Sequence, residues 1–362
     1  MFQPVHPTSP SAFSSALSRC FLAACGASLL VACGAESTGP EEPGAGSGGS
    51  AAGSGAGTGG AGSGGAGAGG SNAAGSAGGS GSGGSGESSL YGYFNIVLNP
   101  KIEETDTPAN TTLLGKLYDG ANPTAMNWQK KDEADDCRLD VPNAILCQPA
   151  CGTTGVCTAT NTCSPYAMPQ TAGTAKLKGL GASELSMEPR ANNYQLPAGT
   201  MLGYPPCTEG SKIELAADGG GHGAFKIEAQ CIAPLETAAT VMVVKGQPLA
   251  LRWKAPTATG TRVTVLLDIS QHGTSKGKIE CDTADDGVLD IPVKLIDALV
   301  DLGISGFPTV LLTRETEGKS GNVVLNVSAP FRSAVEIPGL TSCTEDTDCP
   351  MGQKCLTDLK CG

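Results

Sequence analysis

Residues 212–230 read KIELAADGGGHGAFKIEAQ, and their pattern decides the class of fold. Ile213 and Leu215 alternate with Lys212 and Glu214. After the string DGGGHG, Phe225, Ile227 and Ala229 alternate with Lys226 and Glu228. Successive side chains of a strand point to opposite faces, so each run carries one apolar face and one charged face. The glycines between them permit a tight reversal, and the segment predicts a β-hairpin with one face on a core and the other in water.

The same two-residue period recurs on both sides. Toward the C-terminus it returns in PLALRWKAP (248–256), with Leu249, Leu251 and Trp253 inward, then in TRVTVLLDIS (261–270), PTVLLTR (308–314) and NVVLNVS (322–328). Toward the N-terminus it appears in YFNIVLN (93–99), TLLGKLYDG (112–120) and AKLKGL (175–180). Short runs separated by Gly- and Pro-bearing turns predict a mainly β, immunoglobulin-like sandwich. One stretch breaks the period. Asp290 and Pro292 open PVKLIDALVDLG (292–303), which places Leu295, Leu299 and Leu302 on one face and ends at Gly303. Cap, proline, helical spacing and terminal glycine predict one short amphipathic helix crossing an end of the sandwich.

Composition limits how much of the 362 residues can fold. Gly supplies 52 of them, concentrated in residues 44–86, which are almost only Gly, Ala and Ser. Such a block has no side chains able to offset the entropy of ordering it, and is expected to be a disordered linker. Roughly 270 residues remain beyond it, ample for a sizeable core. The net charge is −12 with no basic run, which argues against a nucleic-acid partner.

Residues 20–31 (CFLAACGASLLV) are apolar and follow a single Arg19. About a dozen such residues are too few to span a bilayer but suit the core of a secretory signal. The run ends Leu30-Val31-Ala32-Cys33-Gly34, and small residues before a Cys resemble the bacterial lipobox. That resemblance implies cleavage before Cys33, lipidation of Cys33 and, with Gly34 rather than Asp next, the outer membrane as destination. The alternative is an ordinary cleaved signal that leaves Cys33 a free thiol. A flexible coil of ~55 residues after the anchor has an r.m.s. span near 40 Å and would act as a tether.

Of fifteen cysteines, Cys20 and Cys25 fall in the signal and Cys33 carries the lipid, leaving twelve. An even number in an exported chain predicts a disulfide framework. Cys147, Cys151, Cys157 and Cys163 form one cluster; Cys343, Cys349, Cys355 and Cys361 form another; Cys137, Cys207, Cys231 and Cys281 are dispersed. Spacing does not give the connectivity. Zinc is the competing use of four clustered cysteines, but neither cluster contains a Cys-x2-Cys knuckle.

The expected organisation is a signal at 1–32, an anchored linker at 33–89, a β-rich region at 90–200 with a Cys-rich insert at 137–163, a β-sandwich at 201–340 and a Cys-rich tail at 341–362. The order GQPLALRW, RVTVLLDI, CDTADDGVLDIP behind a lipobox and a Gly/Ser tether is similar to the large secreted lipoproteins of myxobacteria. The tail resembles the Dickkopf-type cysteine modules at the ends of such proteins. The resemblance implies an envelope lipoprotein, facing the periplasm or the cell surface, and supplies no active-site residues.

Candidate chemistry is sparse. Gly273-Thr274-Ser275-Lys276-Gly277 fits G-x-S-x-G, but a nucleophile elbow needs a helix immediately after it, and KIECDT reads as a strand. A serine hydrolase built on Ser275 would have to draw its base from His222 or His272. Gly318-Lys319-Ser320 lacks the first glycine of a phosphate loop and reads as a polar turn. DTADDG (282–287) lacks the ligands of an EF-hand at its third and twelfth positions. Asp282, Asp285 and Asp286 are left as a calcium candidate against a solvated turn. The acidic run Asp132, Glu133, Asp135 and Asp136 reads as an exposed loop. For a glycan, Trp128, Tyr166, Tyr194 and Tyr204 are the candidate stacking rings. No cofactor is expected. The sequence thus predicts a non-catalytic, tethered binding or structural module with an unnamed envelope or extracellular partner; the alternatives are a calcium- or glycan-dependent adhesion module and the secreted hydrolase.

Overall fold

The computed structural model describes residues 90–362 apart from 104, 126–127, 182, 271 and 273–275. The signal, Cys33, the linker and Ser275 lie outside the described residues. The first ten strands are β1 (Tyr91–Asn99), β2 (Asn110–Tyr118), β3 (Trp128–Ala134), β4 (Cys137–Pro142), β5 (Gly155–Ala159), β6 (Thr162–Pro165), β7 (Pro169–Gln170), β8 (Ala175–Lys178), β9 (Leu185–Met187) and β10 (Asn193–Gln195). They are followed by β11 (Lys212–Ala217), β12 (Phe225–Gln230), β13 (Thr240–Met242), β14 (Leu249–Arg252), β15 (Arg262–Asp268), β16 (Lys278–Ala284) and β17 (Val288–Ile291). The helix α1 (Val293–Val300) then leads to β18 (Thr309–Ser320) and β19 (Asn322–Glu336). The chain is mainly β, as the alternation predicts.

The hairpin expected over 212–230 is β11–β12, with Ile213 opposite Ala229 and Leu215 opposite Ile227. All four side chains are buried, which is what the two-residue period requires of the apolar face. These strands belong to a four-stranded sheet of order β12-β11-β8-β9. It covers one part of an 11-stranded sheet whose main path runs β10-β2-β1-β19-β18-β15-β16-β4-β3. That sheet is mixed: β1 and β13 each pair in parallel with β19, while the remaining pairings are antiparallel.

Two buried clusters lie under the large sheet. The first joins Phe94, Ile96 and Leu98 of β1 and Val323, Leu325 and Val327 of β19 to the four-stranded sheet. The second joins Val263, Val265, Leu267, Val310 and Leu312 to the β14–β17 ribbon and to Leu295, Ile296 and Leu299 of α1. Fully burying a side chain of this size stabilises by about 1.5–3 kcal/mol. The long hairpin β18–β19 contributes to both clusters, turning at Gly321 with φ 55°, where glycine sits at the first central position of a two-residue loop.

The expected boundary at residue 200 does not separate two bodies. Strands from both sides of it interleave in one sheet, because β1 pairs with β19 and β4 with β16. Other expectations are corrected locally. Asp290 does not cap the helix: it lies in β17, ion-paired with Arg252 at 2.7 Å, and Pro292 occupies the cap position. Gly318-Lys319-Ser320 is strand rather than turn, extending β18 along β19. The acidic run is an edge hairpin rather than a loop, with Asp132 and Glu133 in β3 and Asp135 in its turn at φ 50°.

All twelve expected cysteines are bonded. Cys137–Cys281 links directly opposed residues of β4 and β16, and Cys207–Cys231 closes a loop beside the first core. The two clusters share one wiring. Cys147–Cys157 and Cys151–Cys163 join first to third and second to fourth, as do Cys343–Cys355 and Cys349–Cys361. In both, third and fourth cysteines face each other across an antiparallel bridge. In both, the fourth residue after the third cysteine is left-handed, Asn161 at φ 59° and Leu359 at φ 60°. The insert and the tail are thus two versions of one small module. The tail docks on the body through Gly306, whose amide donates to the Asp358 carbonyl and whose carbonyl accepts from Ser342.

Candidate functional site

The large sheet turns its second face away from both cores. On β1, alternation that buries Phe94 and Ile96 sends Tyr93 and Asn95 outward. On β19 the outward residues are Val324 and Asn326, and on β18 they are Glu315 and Glu317. Register then assembles them: Asn95 lies opposite Asn326, and Asn326 opposite Glu317, in one row across three strands. Tyr93 stands beside Val324 in the next row, and Glu315 lies opposite Arg262 of β15. Together these side chains line a groove of about 260 Å³.

The charges of the groove are paired within the face. Arg262 bonds Asp282 and lies 3.7 Å from Glu315, and Glu317 is 2.8 Å from Lys319. Burial, reinforced by the like charge of Glu317 and only partly opposed by Arg262, pushes the Glu315 carboxyl above its ordinary value. Burial likewise raises the Tyr93 phenol. What is left over is neutral. Among the described residues neither the Asn95 nor the Asn326 amide has a protein partner, although both are half-buried.

The side chains singled out from the sequence have other occupations. Asp285 is buried against Arg314, whose Nε donates at 2.6 Å to one carboxylate oxygen and whose Nη2 donates at 3.1 Å to the other. Trp253 Nε1 also donates to Asp285 at 2.7 Å. Asp282 pairs with Arg262, and Asp286 accepts from the Val288 amide at 3.1 Å. The three aspartates are therefore directed to three different partners rather than to a common centre, and the calcium arrangement does not form.

His222 Nε2 is 3.3 Å from Gln170, and the His272 ring sits 6.3 Å from that of Phe307. The element that begins at Lys278 is the strand β16, paired antiparallel with β15, whereas the elbow needs a helix after its serine. Cys147, Cys151 and Cys163 have their sulfurs within 4.8 Å of one another, as do Cys343, Cys349 and Cys361, but bonding into disulfides leaves no thiolate for a metal. Of the candidate rings, Tyr194 is fully buried, donating to the Gly173 carbonyl and accepting from Ala172. Trp128 lies under Lys278 at 4.4 Å, Tyr204 packs against the first core and Tyr166 is exposed. Tyr93, Asn95 and Asn326 escaped the sequence reading. The alternation in 91–99 was the available signal for the first two.

No protein-family model matches the chain, and a search of curated proteins finds no relative. Function therefore rests on the residues themselves.

Proposed function

We propose that this chain is a non-catalytic envelope lipoprotein. Its body is anchored through Cys33, spaced from the membrane by the Gly/Ala/Ser linker, and binds an envelope or extracellular partner with the outer face of its large sheet. The observation that carries the binding role is the groove on that face, where half-buried amides stand without protein partners beside a tyrosine ring. A concavity that offers a few polar groups without protein partners beside an apolar ring has the usual form of a ligand site. The other candidate groups supply a second argument: Asp285 of the calcium candidate is paired with Arg314, and His222 of the hydrolase candidate lies at hydrogen-bond distance from Gln170. Support for the anchor is the Leu30-Val31-Ala32-Cys33 string after an apolar run, and six disulfides fit an oxidising compartment.

The test has two parts. Mass spectrometry of the mature N-terminal peptide is expected to show a diacylated or triacylated Cys33, and Cys33→Ser is expected to release the body from membranes. An unmodified thiol at Cys33 would remove the anchor. Cross-linking of the tagged protein in intact envelopes, through a photoreactive residue at Val324, is expected to capture a stoichiometric partner. Capture of none, together with hydrolysis of generic ester substrates that Ser275→Ala abolishes, would replace binding with catalysis.

A further inference from the structure

The chemistry of the groove narrows what it can hold. An extended peptide adds to an open sheet edge, whereas β1, β19 and β18 are interior strands with neighbours on both sides. An anion would need a free cation, but Arg262 is already shared between Asp282 and Glu315. A cation would have to compete with Lys319 for Glu317 and with Arg262 for Glu315. The groups that remain are the amides of Asn95 and Asn326, adjacent by register, and the ring of Tyr93 one row away. A primary amide offers a donor and an acceptor side by side, which matches neighbouring hydroxyls that each donate and accept. A tyrosine ring offers an apolar face with a polar tip, suited to C–H surface on a ligand that is polar at its rim.

We propose that the groove binds a neutral saccharide, with Asn95 and Asn326 hydrogen-bonding adjacent hydroxyls and Tyr93 packing against the ring. This deepens the binding reading above and rests on it. It uses none of the rings expected from the sequence to stack a sugar. Strand rows lie about 6.6 Å apart along the chain and about 4.8 Å apart between strands, so the three side chains converge on an area of one or two sugar rings.

The experiment is a titration of the soluble body (residues 87–362, which contain both cores and all six disulfides), followed in every variant by the backbone amide signals of β1 and β19 and, in the unsubstituted protein, also by the side-chain amide signals of Asn95 and Asn326 in ¹H–¹⁵N spectra. The probes are the methyl glycosides of glucose, galactose, mannose and N-acetylglucosamine, then lactose and chitobiose, with glycerol as a ringless control. Saturable shifts of these two amides with at least one sugar, and none with glycerol, are expected. Asn95→Ala with Asn326→Ala should weaken binding about tenfold or more, the loss of two hydrogen bonds. Lys226→Ala, on the other sheet, should leave it unchanged. Tyr93→Leu provides a second variant that keeps an apolar strand residue should the double variant misfold. Absence of saturable shifts with all six sugars, or shifts that persist in both groove variants, would overturn the proposal. Failure here leaves the Cys33 and cross-linking results untouched, so the two readings fail separately.

Discussion

Replacing Asp285 with alanine should destabilise the body more than any surface substitution. Arg314 and Asp285 are both almost completely buried, with side-chain exposures of 2% and 1%. All five guanidinium N–H groups are used: two on Asp285, and one each on the carbonyls of Ala233 (3.3 Å), Pro234 (3.1 Å) and Lys254, with the last at 2.6 Å. Asp285→Ala would leave a charged group in the core with two unmatched donors, and would also orphan the Trp253 indole N–H. Breaking a buried pair by removing one partner costs about 3–5 kcal/mol, a large fraction of the roughly 5–15 kcal/mol that holds a typical domain. Arg314→Met should cost a similar amount, because it strands the carboxylate and three carbonyls. The double variant Asp285→Ala/Arg314→Met removes both charges and should lose less than the sum of the singles by about 2 kcal/mol. Urea unfolding with disulfides intact, read by Trp253 fluorescence in a Trp128→Phe background, measures all three. A loss below about 1 kcal/mol for Asp285→Ala is the range of an exposed ion pair and would refute the reasoning.

Three further outcomes can be checked. Glu315→Gln should raise stability at neutral pH, because a carboxyl whose folded pKa is raised is favoured in the folded state only while protonated. The gain should be present above the folded pKa and vanish below the ordinary value of 4.5, and thermal melts from pH 3 to 7 would show it. Gly318→Ala should cost about 1–3 kcal/mol or more, since its Cβ would lie 1.9 Å from the Glu228 carbonyl oxygen; amide exchange along β12 should accelerate with it. Removing the Cys137–Cys281 bridge by paired serines should cost about 2–5 kcal/mol, because its two ends are 144 residues apart, and calorimetry of the oxidised protein would record it as a lower Tm.

What the sequence made legible was local. Ile213, Leu215, Phe225 and Ile227 announce their strands because one face of each is apolar, and the structure buries those four. Leu295 and Leu299 likewise announce the helix face, although the proline rather than Asp290 holds its start. The two-residue period in PTVLLTR also points Arg314 inward after Val310 and Leu312, but a charged residue at an inward position is uninterpretable until its partner is known. That partner is Asp285, which the sequence offered only as part of an acidic turn. The groove was illegible for the same reason. Tyr93 and Asn95 are outward by alternation, yet they meet Val324 and Asn326 only because β1 pairs in parallel with a strand more than two hundred residues later. Local pattern does not encode that register. Cysteine pairing was hidden likewise: parity gave the number of bonds, while the shared first-to-third, second-to-fourth wiring required the fold.

The position of Arg314 explains how two cores become one body. Cys231 and Ile232 belong to the first core and Leu235 to the second, so the chain crosses between them at Ala233 and Pro234. Those two carbonyls are what Nη1 of Arg314 holds. The same guanidinium reaches Lys254, just past the β14–β17 ribbon strand, and Asp285 in the turn before β17. An apolar residue could fill the volume but could not donate to the three part-buried carbonyls that the guanidinium holds. The seam is therefore a place where the backbone itself demands a charged side chain, and the charge demands Asp285. Glu315 follows Arg314 directly on β18 and, by the strand's alternation, points to the opposite face, into the groove. The strand held at the seam by Arg314 is the one that carries Glu315 and Glu317 on its other face, so loss of the buried pair is expected to disturb the proposed binding face as well.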